Sequence, residues 1–509
     1  MLRSFVAVLI GLGLFGCQSN SPNLDPYEQV IQMPDSLYRN WLSAQLDAEM
    51  IWETPNQKQA SKAYLEDLAI LRRSLDEAQT GMYRFCTPAQ IDSLFLKARK
   101  DLQDSASYLE FFNAVAPVFA LMGNSHSGVG HSKAYKAFRK EQLKFIPLKF
   151  VVSNERLYVR SNLSADTLIQ PGFEVLEING QSFSELANQM KESITSDGKN
   201  QSLKWQIIQD YFPHAYSNFI GQPEVFDILC QNSQGEKMTL KLPAMPKPYL
   251  DSVAKLQPGI DRPFVSFNYD WIDSLNTSIL TIGSFNKKVL TYTGVRFEEQ
   301  LRSTFSIIKN KGHQKLILDL RDNSGGWTGY GRYLVSYLVN QPIDYIDAVY
   351  VKKKEDFAFE ALIQNPAGIE DTMNFVAQSG GLLRWENYPN QKISEVAENH
   401  FEGQLVVLTN GSTMSCAGVV SALLKENTQA LFIGEESGVA AQGTDGITLS
   451  MRLPHSQLGV TLSLGMYVLA TQSESPDRGV FPDVFIQARP EELFLGNDPV
   501  LEFALTELK

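Results

Sequence analysis

Residues 318–326 read LDLRDNSGG, and this stretch decides how the second half of the chain is interpreted. An apolar strand pattern runs into a polar loop that closes on two adjacent glycines, Gly325 and Gly326. Glycine adopts backbone dihedrals that other residues avoid, and it lets backbone N–H groups approach a bound molecule closely. Such donors suit an oxyanion hole, because they are held where negative charge develops during a reaction. Taken alone, the glycines are explained more simply by a turn with no catalytic role.

A second transition of the same type follows at residues 408–418, LTNGSTMSCAG. A strand ends, a tight turn follows, and Ser415 stands among small residues at the predicted start of a helix. The small neighbours leave room for a carbonyl group, and a helix N-terminus favours a developing oxyanion. Ser415 is therefore a candidate nucleophile. A serine at this place is more commonly a helix N-cap, so position alone does not identify it.

Strand and helix patterns alternate on both sides of these loops. The apolar patterns predict strands at 278–282, 315–320, 405–408 and 431–433, and helices at 297–309, 330–339 and 417–426. Alternation of this kind indicates an α/β layer fold. Residues 255–495 are assigned to this α/β core, after a linker marked by Pro246 and Pro248.

The first half of the chain divides into two regions of different period. Residues 60–140 have the apolar period of helices, one of which starts with Thr87 as N-cap and Pro88 as its first residue. Residues 170–180, QPGFEVLEING, combine a Pro-Gly turn, a strand and an Asn-Gly hairpin turn. The β-rich module at 145–245 resembles a PDZ domain, which takes up a peptide on an exposed sheet edge. Another small β-rich module is the alternative. The predicted fold class is α/β and multidomain.

The N-terminus has the features of a targeting segment. A basic residue at position 3 precedes an apolar stretch that is too short to span a bilayer as a mature helix. The following Gly16-Cys17 pair and polar residues resemble a bacterial lipobox, in which the cysteine is lipidated. We therefore expect a lipoprotein signal peptide at 1–17, a tether at 18–59 that includes a short helix around 35–49, and attachment to a bacterial envelope membrane through Cys17. The protein would then lie in the periplasm or at the outer-membrane surface. An ordinary signal peptide with a chance cysteine is the alternative.

Composition narrows the class of ligand. The net charge is −12 and no run of lysine or arginine stands out, which argues against nucleic-acid binding. The cysteines at 17, 86, 230 and 416 form no CxxC pair, and the histidines form no HExxH pattern. No metal or other cofactor is expected.

These motifs together resemble peptidase family S41, the C-terminal-processing or tail-specific serine peptidases, which include the tricorn core proteases. The loop at 318–326 is similar to the most recognisable motif of the family, and residues 413–418 to its nucleophile segment. Residues 433–436, IGEE, and 478–484, RGVFPDV, resemble the elements that follow. The resemblance implies a ClpP/crotonase-like protease core with Ser415 as nucleophile. It also implies oxyanion donors at the N–H of Gly325 or Gly326 and of Cys416.

One departure from the family concerns the base. The processing branch pairs its serine with a lysine shortly after the Gly-Glu strand, but residues 439–442 read VAAQ here, and no lysine occurs between Lys425 and Lys509. Residues 123–128, GNSHSG, resemble the tricorn-type branch, whose Ser-His pair supplies the base. His126 is the candidate base because, of the side chains in this segment, only histidine is a residue type that can take up and release a proton near neutral pH, and Ser125 or Ser127 would orient its ring.

Two assignments around this base stay open. His131 is the competing histidine. An acid is expected just before the Gly-Val-x-Pro-Asp element, where Glu474 is the nearest carboxylate although its register is displaced by about two residues. For Cys416 a buried apolar role is expected rather than a reactive thiol.

The sequence therefore predicts a serine-type peptidase that acts on a peptide or protein substrate through an acyl-enzyme on Ser415. Two alternatives remain. The first is a catalytically inactive S41-like lipoprotein that binds peptides, which the missing lysine favours. The second is a hydrolase that acts on something other than peptides.

Overall fold

The computed structural model describes residues 24–256, 264–369, 373–490, 492 and 496–507. The predicted leader 1–17, with Cys17, lies outside the described residues, as does the start of the predicted tether. Among the helices of the described ranges, none combines the length and the apolar character needed to cross a bilayer.

The N-terminal region is built mainly from helices. Its elements, in chain order, are α1 (Pro26–Ile31), α2 (Asp35–Ala44), β1 (Gln59–Ala60), α3 (Lys62–Ala78), α4 (Pro88–Asp101), β2 (Ser105–Ala106), α5 (Tyr108–Met122), β3 (Gly128–Gly130) and α6 (Lys133–Glu141). Thr87 caps α4 by accepting the N–H of Gln90, and Pro88 is its first residue, which confirms the predicted helix start. Helix α5 ends at Gly123, whose φ of 64° turns the chain into the loop that carries His126.

Part of the predicted tether is folded. Helices α1 and α2 lie within 18–59, and Val30, Tyr38 and Leu42 are buried in the core that these helices share with α3. The prolines at 26 and 34 stand at helix starts, where a fixed φ and a missing N–H are tolerated. Helix α2 confirms the short helix predicted around 35–49, whereas helix α1 lies in a part of the tether for which no helix was predicted.

The β-rich module follows as a main antiparallel sheet, a two-stranded sheet of β4 and β11, and three helices. Its elements are β4 (Lys144–Phe145), β5 (Leu148–Ser153), β6 (Arg156–Asn162), β7 (Glu174–Ile178), β8 (Gln181–Ser182), α7 (Phe183–Lys191), α8 (Ser202–Phe219), β9 (Val225–Gln231), β10 (Lys237–Pro243), β11 (Met245–Pro246) and α9 (Lys247–Ala254). The sheet order is β10-β9-β7-β6-β5. Asn179 and Gly180 both have positive φ, 51° and 77°, which confirms the predicted Asn-Gly turn. The resemblance to a PDZ domain stays a prediction.

The C-terminal half contains the predicted α/β core and a second sheet. Its strands are β12 (Phe267–Ile272), β13 (Thr277–Ile282), β14 (Lys315–Asp319), β15 (Ile343–Asp344), β16 (Ile346–Val351), β17 (Ile363–Asn365), β18 (Phe375–Ala377), β19 (Leu383–Trp385), β20 (Lys392–Ile393), β21 (Gln404–Thr409), β22 (Leu431–Gly434), β23 (Asp445–Arg452), β24 (Gly459–Leu469) and β25 (Val484–Phe485). Its helices are α10 (Lys287–Tyr292), α11 (Phe297–Lys311), α12 (Thr328–Ser336), α13 (Cys416–Asn427) and α14 (Pro499–Glu507).

The first of these sheets brings the two predicted loops together. Its order is β12-β13-β14-β21-β22-β25, with parallel pairing from β13 onward. Strands β14 and β21 are neighbours in register, with Asp319 opposite Leu408. Because their carboxyl ends lie at one edge of the sheet, the loop that carries Gly325 and the turn that carries Ser415 meet there.

The second sheet joins the N-terminal helices to the C-terminal half. Its long hairpin, β23 and β24, contributes Leu449, Met451, Val460 and Leu462 to the same apolar core as α3 and α5. Strand β3 extends the sheet by pairing with the start of β24. The helical region and the α/β core therefore share buried surface, and the loop between α5 and β3 is held near the sheet edge where Ser415 lies.

Candidate active site

Ser415 lies on a strained elbow between β21 and α13. Its φ of 48° and ψ of −125° are unusual for a residue other than glycine. Its side chain makes no capping hydrogen bond to the helix, so the hydroxyl is not engaged as an N-cap. Strain of this kind persists only where surrounding contacts hold it, and it is common at functional sites.

The contacts that hold the elbow come from the Gly-Gly loop. The Thr413 hydroxyl accepts the N–H of Asn410 and donates to the carbonyl of Leu320, both at 3.0 Å. The N–H of Met414 donates to the carbonyl of Asn323 at 2.9 Å. The two loops are therefore joined by backbone contacts directly before the serine.

Gly325 and Gly326 have no room for a side chain, because other backbone and side-chain atoms lie directly against them. A Cβ on Gly325 would lie 2.6 Å from Cβ of Ser415 and 2.8 Å from the nitrogen of Cys416, and a Cβ on Gly326 would lie 2.1 Å from the carbonyl carbon of Phe285. Their φ values are 92° and 142°. The turn is therefore more than a change of chain direction, because it brings backbone against the serine.

The two loops offer distinct backbone donors. The N–H of Gly325 already donates to Oδ1 of Asn323 at 2.8 Å. Among the described residues no hydrogen-bond acceptor faces the N–H of Gly326 or of Cys416. Of the three predicted oxyanion donors, Gly326 and Cys416 are therefore the ones with an N–H to offer.

His126 lies opposite the serine. Its Nε2 is 3.1 Å from Oγ of Ser415, across 289 positions of sequence. The side chain of Asn124 fixes the histidine loop, because its Oδ1 accepts the N–H of His126 at 2.9 Å and that of Ser127 at 3.1 Å. A hydroxyl and an imidazole at this distance can exchange a proton.

Two hydroxyls face the other ring nitrogen. Ser125 Oγ is 3.4 Å and Thr444 Oγ1 is 3.5 Å from Nδ1 of His126. Thr444 donates to Oδ2 of Asp197 at 3.0 Å, and Oδ1 of Asp197 accepts the N–H of Ser125 at 2.7 Å. Asp197 is buried and lies between α7 and α8 of the β-rich module.

A second buried carboxyl supports the histidine loop from the other side. The Asn124 amide donates to Oδ2 of Asp445, while Oδ1 of Asp445 is buried without a partner among the described residues. Burial raises the pKa of Asp445 to about 7; nearby Arg84 opposes this shift and Asp197 adds to it. The carboxyl is thus partly protonated at neutral pH.

The other predicted residues lie apart from this chain of contacts. Glu474 is exposed, and within the described part of the chain it makes no hydrogen bond or ion pair. The Ser127 hydroxyl donates to Gln79 rather than to the histidine. His131 stacks on Phe112 and Tyr135, and burial lowers its pKa to about 3, so it is a neutral core histidine. The structure brings His126, and not His131, to Ser415.

Burial accounts for the role expected of Cys416 and for the apolar residues that stand in place of the family lysine. Burial raises the pKa of the Cys416 thiol to about 12, which is consistent with the expected apolar role and not with a reactive thiolate. Val439, Ala440 and Ala441, which stand where the family has its lysine, are buried, and a Cβ on Gly418 of α13 would lie 2.4 Å from Cβ of Val439. An apolar contact with α13 therefore occupies this segment.

Sequence reasoning missed three residues of the site: Asn124, Thr444 and Asp197. They come from the histidine loop, the segment before β23 and the β-rich module, so no local pattern joins them. The adjacency of Asn124 to the candidate histidine was the one available signal.

Comparison with known proteins relates the α/β core to one family. Residues 276–486 match the model of peptidase family S41. The α/β core of this chain is thus similar to peptidase family S41, whose members are serine peptidases. No curated protein matches the sequence significantly.

Solved structures agree with this fold. Mature CPAF complexed with lactacystin is 13% identical, with a TM-score of 0.61 over 88% of this chain and 98% of that chain. Mature CPAF alone gives the same identity and TM-score over 88% and 97%. A putative peptidase from Parabacteroides merdae is 15% identical over 88% and 97%, with a TM-score of 0.45. The CPAF structures therefore share the fold of this chain over most of its length.

Proposed function

We propose that this chain is a serine-type peptidase that cleaves peptide bonds through an acyl-enzyme on Ser415, with His126 as general base. The contact of 3.1 Å between Nε2 of His126 and Oγ of Ser415 is the observation that carries the proposal. Similarity of the core to peptidase family S41 supports the reaction class.

The reaction proceeds in two halves. In the first, Oγ of Ser415 attacks the carbonyl carbon of the peptide while Nε2 of His126 takes the hydroxyl proton. The carbonyl oxygen becomes an oxyanion that accepts the N–H groups of Gly326 and Cys416. His126 then gives its proton to the leaving amine as the C–N bond breaks. In the second half, water attacks the ester, His126 takes its proton, and the acid product leaves as Ser415 recovers the proton.

Fluorophosphonate labelling and hydrolysis of a peptide mixture test this proposal on the full chain. Wild type should label at one site and hydrolyse peptides. Ser415→Ala should abolish both activities, and His126→Ala should slow both by about 10²- to 10⁴-fold, the usual worth of a general base. Ser412→Ala, in the same turn, and His400→Ala are matched controls that should leave both rates unchanged.

Two results would contradict the proposal. A folded wild-type protein that neither labels nor hydrolyses peptides would favour the alternative, an S41-like lipoprotein that only binds peptides. Near-full activity of His126→Ala would refute the assignment of the base. Labelling without peptide hydrolysis would indicate a hydrolase with another substrate.

The proposal extends to the regions on either side of the catalytic core. The module at 145–245 would hold a substrate tail at its sheet edge in the manner of a PDZ domain. Lipid on Cys17 would attach the protein to a bacterial envelope membrane, on the periplasmic side or at the outer surface. Lipid attachment at Cys17 is tested by the incorporation of a labelled fatty acid, which should occur in wild type and be lost in Cys17→Ser.

A further inference from the structure

The directions of the hydrogen bonds on the Nδ1 side of His126 follow from the chemistry of the buried Asp197. A carboxylate has oxygens that accept hydrogen bonds and no proton to donate. Both oxygens of Asp197 are used: Oδ1 accepts the backbone N–H of Ser125, and Oδ2 accepts the hydroxyl of Thr444. The Thr444 proton therefore points toward Asp197 and away from the histidine.

This direction favours one of the two neutral tautomers of His126. Because the Thr444 hydroxyl donates its hydrogen bond to Asp197, its oxygen presents a lone pair to Nδ1 of His126, 3.5 Å away. A lone pair favours the tautomer with a proton on Nδ1. The Nε2 that faces Ser415 is then unprotonated, that is, bare. A bare Nε2 is the form that can accept the hydroxyl proton.

We propose that Asp197 is the positioning carboxylate of this site, and that it acts through the hydroxyl of Thr444 to hold His126 in the tautomer with a bare Nε2. The inference rests on the proposed function, which it deepens by naming the third group. The residue comes from the β-rich module and not from the segment before the Gly-Val-x-Pro-Asp element.

The segment that carries Asp197 is fixed to the loops around the site. The N–H of Gly198 donates to the carbonyl of Gly123 at 2.8 Å, at the start of the histidine loop. The N–H of Lys199 donates to the carbonyl of Asp477 at 2.7 Å. The side-chain amide of Asn200 donates to the carbonyl of Ser437 at 2.7 Å. Asp197 is thus held from three directions, as positioning of a ring requires.

The other carboxyl groups near the histidine do not offer the same contact. Asp445 accepts the Asn124 amide, so its effect on His126 runs through the backbone of the histidine loop and not through the ring. Glu474 is exposed. Ser125 also faces Nδ1, at 3.4 Å, and its backbone N–H is held by the same Asp197. Asp197 therefore holds the hydroxyl of Thr444 and the backbone of Ser125.

Imidazole nitrogen chemical shifts of the full-length protein, with His126 assigned by comparison with His126→Ala, test the tautomer directly. In wild type near pH 8 we expect the proton on Nδ1 and a bare Nε2. Asp197→Asn can turn its NH₂ toward Thr444, which reverses the hydroxyl and favours the opposite tautomer. A wild-type His126 with its proton on Nε2 would overturn the proposal without any variant at Asp197 or Thr444.

Kinetics provide the second readout. Asp197→Asn and Thr444→Val should lower kcat by about 100-fold with little change in KM, because the base and not the binding surface is affected. Thr444→Ser keeps the hydroxyl and should restore most of the rate. If kcat of Asp197→Asn stays within about twofold of wild type while Ser415→Ala is inactive, Asp197 has no positioning role although the proposed function stands. Absence of wild-type labelling would refute the proposed function, whereas the tautomer measurement would still decide the role of Asp197.

Discussion

Two regions of this molecule bring a serine and a histidine into contact with an aspartate nearby. At the sheet edge, Oγ of Ser415 is 3.1 Å from Nε2 of His126, and Asp197 is reached through Thr444. At the other end of the same sheet, Oγ of Ser278 is 2.9 Å from Nδ1 of His313.

The second constellation has the shorter and more direct contacts, since Nε2 of His313 lies 3.1 Å from Oδ1 of Asp273. Yet Ser278 is fully buried in strand β13, and Tyr269 also contacts its hydroxyl, at 3.1 Å. No substrate carbonyl can reach a hydroxyl enclosed in this way. Ser415 is only partly buried and stands on an elbow beside two backbone N–H groups without acceptors among the described residues. Access, backbone geometry and oxyanion donors, more than the distances among three side chains, distinguish a candidate active site from a structural network.

The largest expected effect separates the two serines. Ser415→Ala should lower peptide hydrolysis by about 10⁴- to 10⁶-fold, because the nucleophile is lost. Ser278→Ala should leave the rate unchanged and lower the free energy of unfolding by about 1–3 kcal/mol, because Tyr269 and His313 lose a buried partner. Rates and denaturant unfolding of both variants check this comparison. Loss of activity in folded Ser278→Ala would erase the distinction.

A smaller effect is expected at the glycine loop. Gly325→Ala places a Cβ 2.6 Å from that of Ser415 at a φ of 92°, so it should displace the loop together with the N–H of Gly326 and lower kcat by about 10²- to 10³-fold, the effect of losing one oxyanion donor. Gly294→Ala is the matched control, since it too has a positive φ, 74°, but its Cβ would meet nothing within 4 Å. It should cost about 1 kcal/mol of stability and no activity. Equal rates for the two variants would show that the close approach to Ser415 is dispensable.

The smallest effect on rate is expected at Asp445, whose carboxyl differs from that of Asp273 in the direction of its pKa shift. The hydrogen bond from Lys311 is the main cause that lowers the pKa of Asp273, whereas burial raises that of Asp445 to about 7. Folded Asp445 therefore binds its proton more tightly than the unfolded chain, where the pKa is about 3.9. Its contribution to stability should be lost as pH rises from about 4 to about 7, by up to about 1.4 kcal/mol per pH unit.

Asp445→Asn should remove this slope, so the variant should gain stability relative to wild type as pH rises through that range. Its rate should change by about tenfold at most, because the new carbonyl can still accept the Asn124 amide. Denaturant unfolding at a series of pH values measures the slope, with the exposed Asp347→Asn as control for the loss of a charge. Parallel stability curves for wild type and Asp445→Asn would contradict the raised pKa.

Local sequence was sufficient for the parts of the site that lie in a single loop. The strand at β14, the glycine pair and the serine before α13 were predicted because period, glycine and small residues act within a few positions. The choice of His126 followed from the missing lysine and the resemblance of residues 123–128 to the tricorn-type branch, and its contact with Ser415 agrees with that choice.

Other parts of the prediction failed where local pattern was ambiguous. Pro26 suits both a broken tether and a helix start, and only the buried position of Val30 distinguishes the two. Glu474 was selected by its distance in sequence from a motif, but it is exposed and makes no hydrogen bond to the histidine within the described part of the chain.

The sequence by itself determined the α/β core, the elbow serine and the double-glycine loop, because each depends on backbone preferences that act within about ten residues. Only the tertiary structure decided which groups stand behind the histidine. Asp197 and Thr444 are 247 positions apart. Asp197 lies between two helices of the β-rich module and Thr444 directly precedes β23, so their contact depends on how the module packs against the C-terminal half and not on sequence spacing. Long-range packing also buried Ser278 and left Ser415 accessible, although both serines face a histidine.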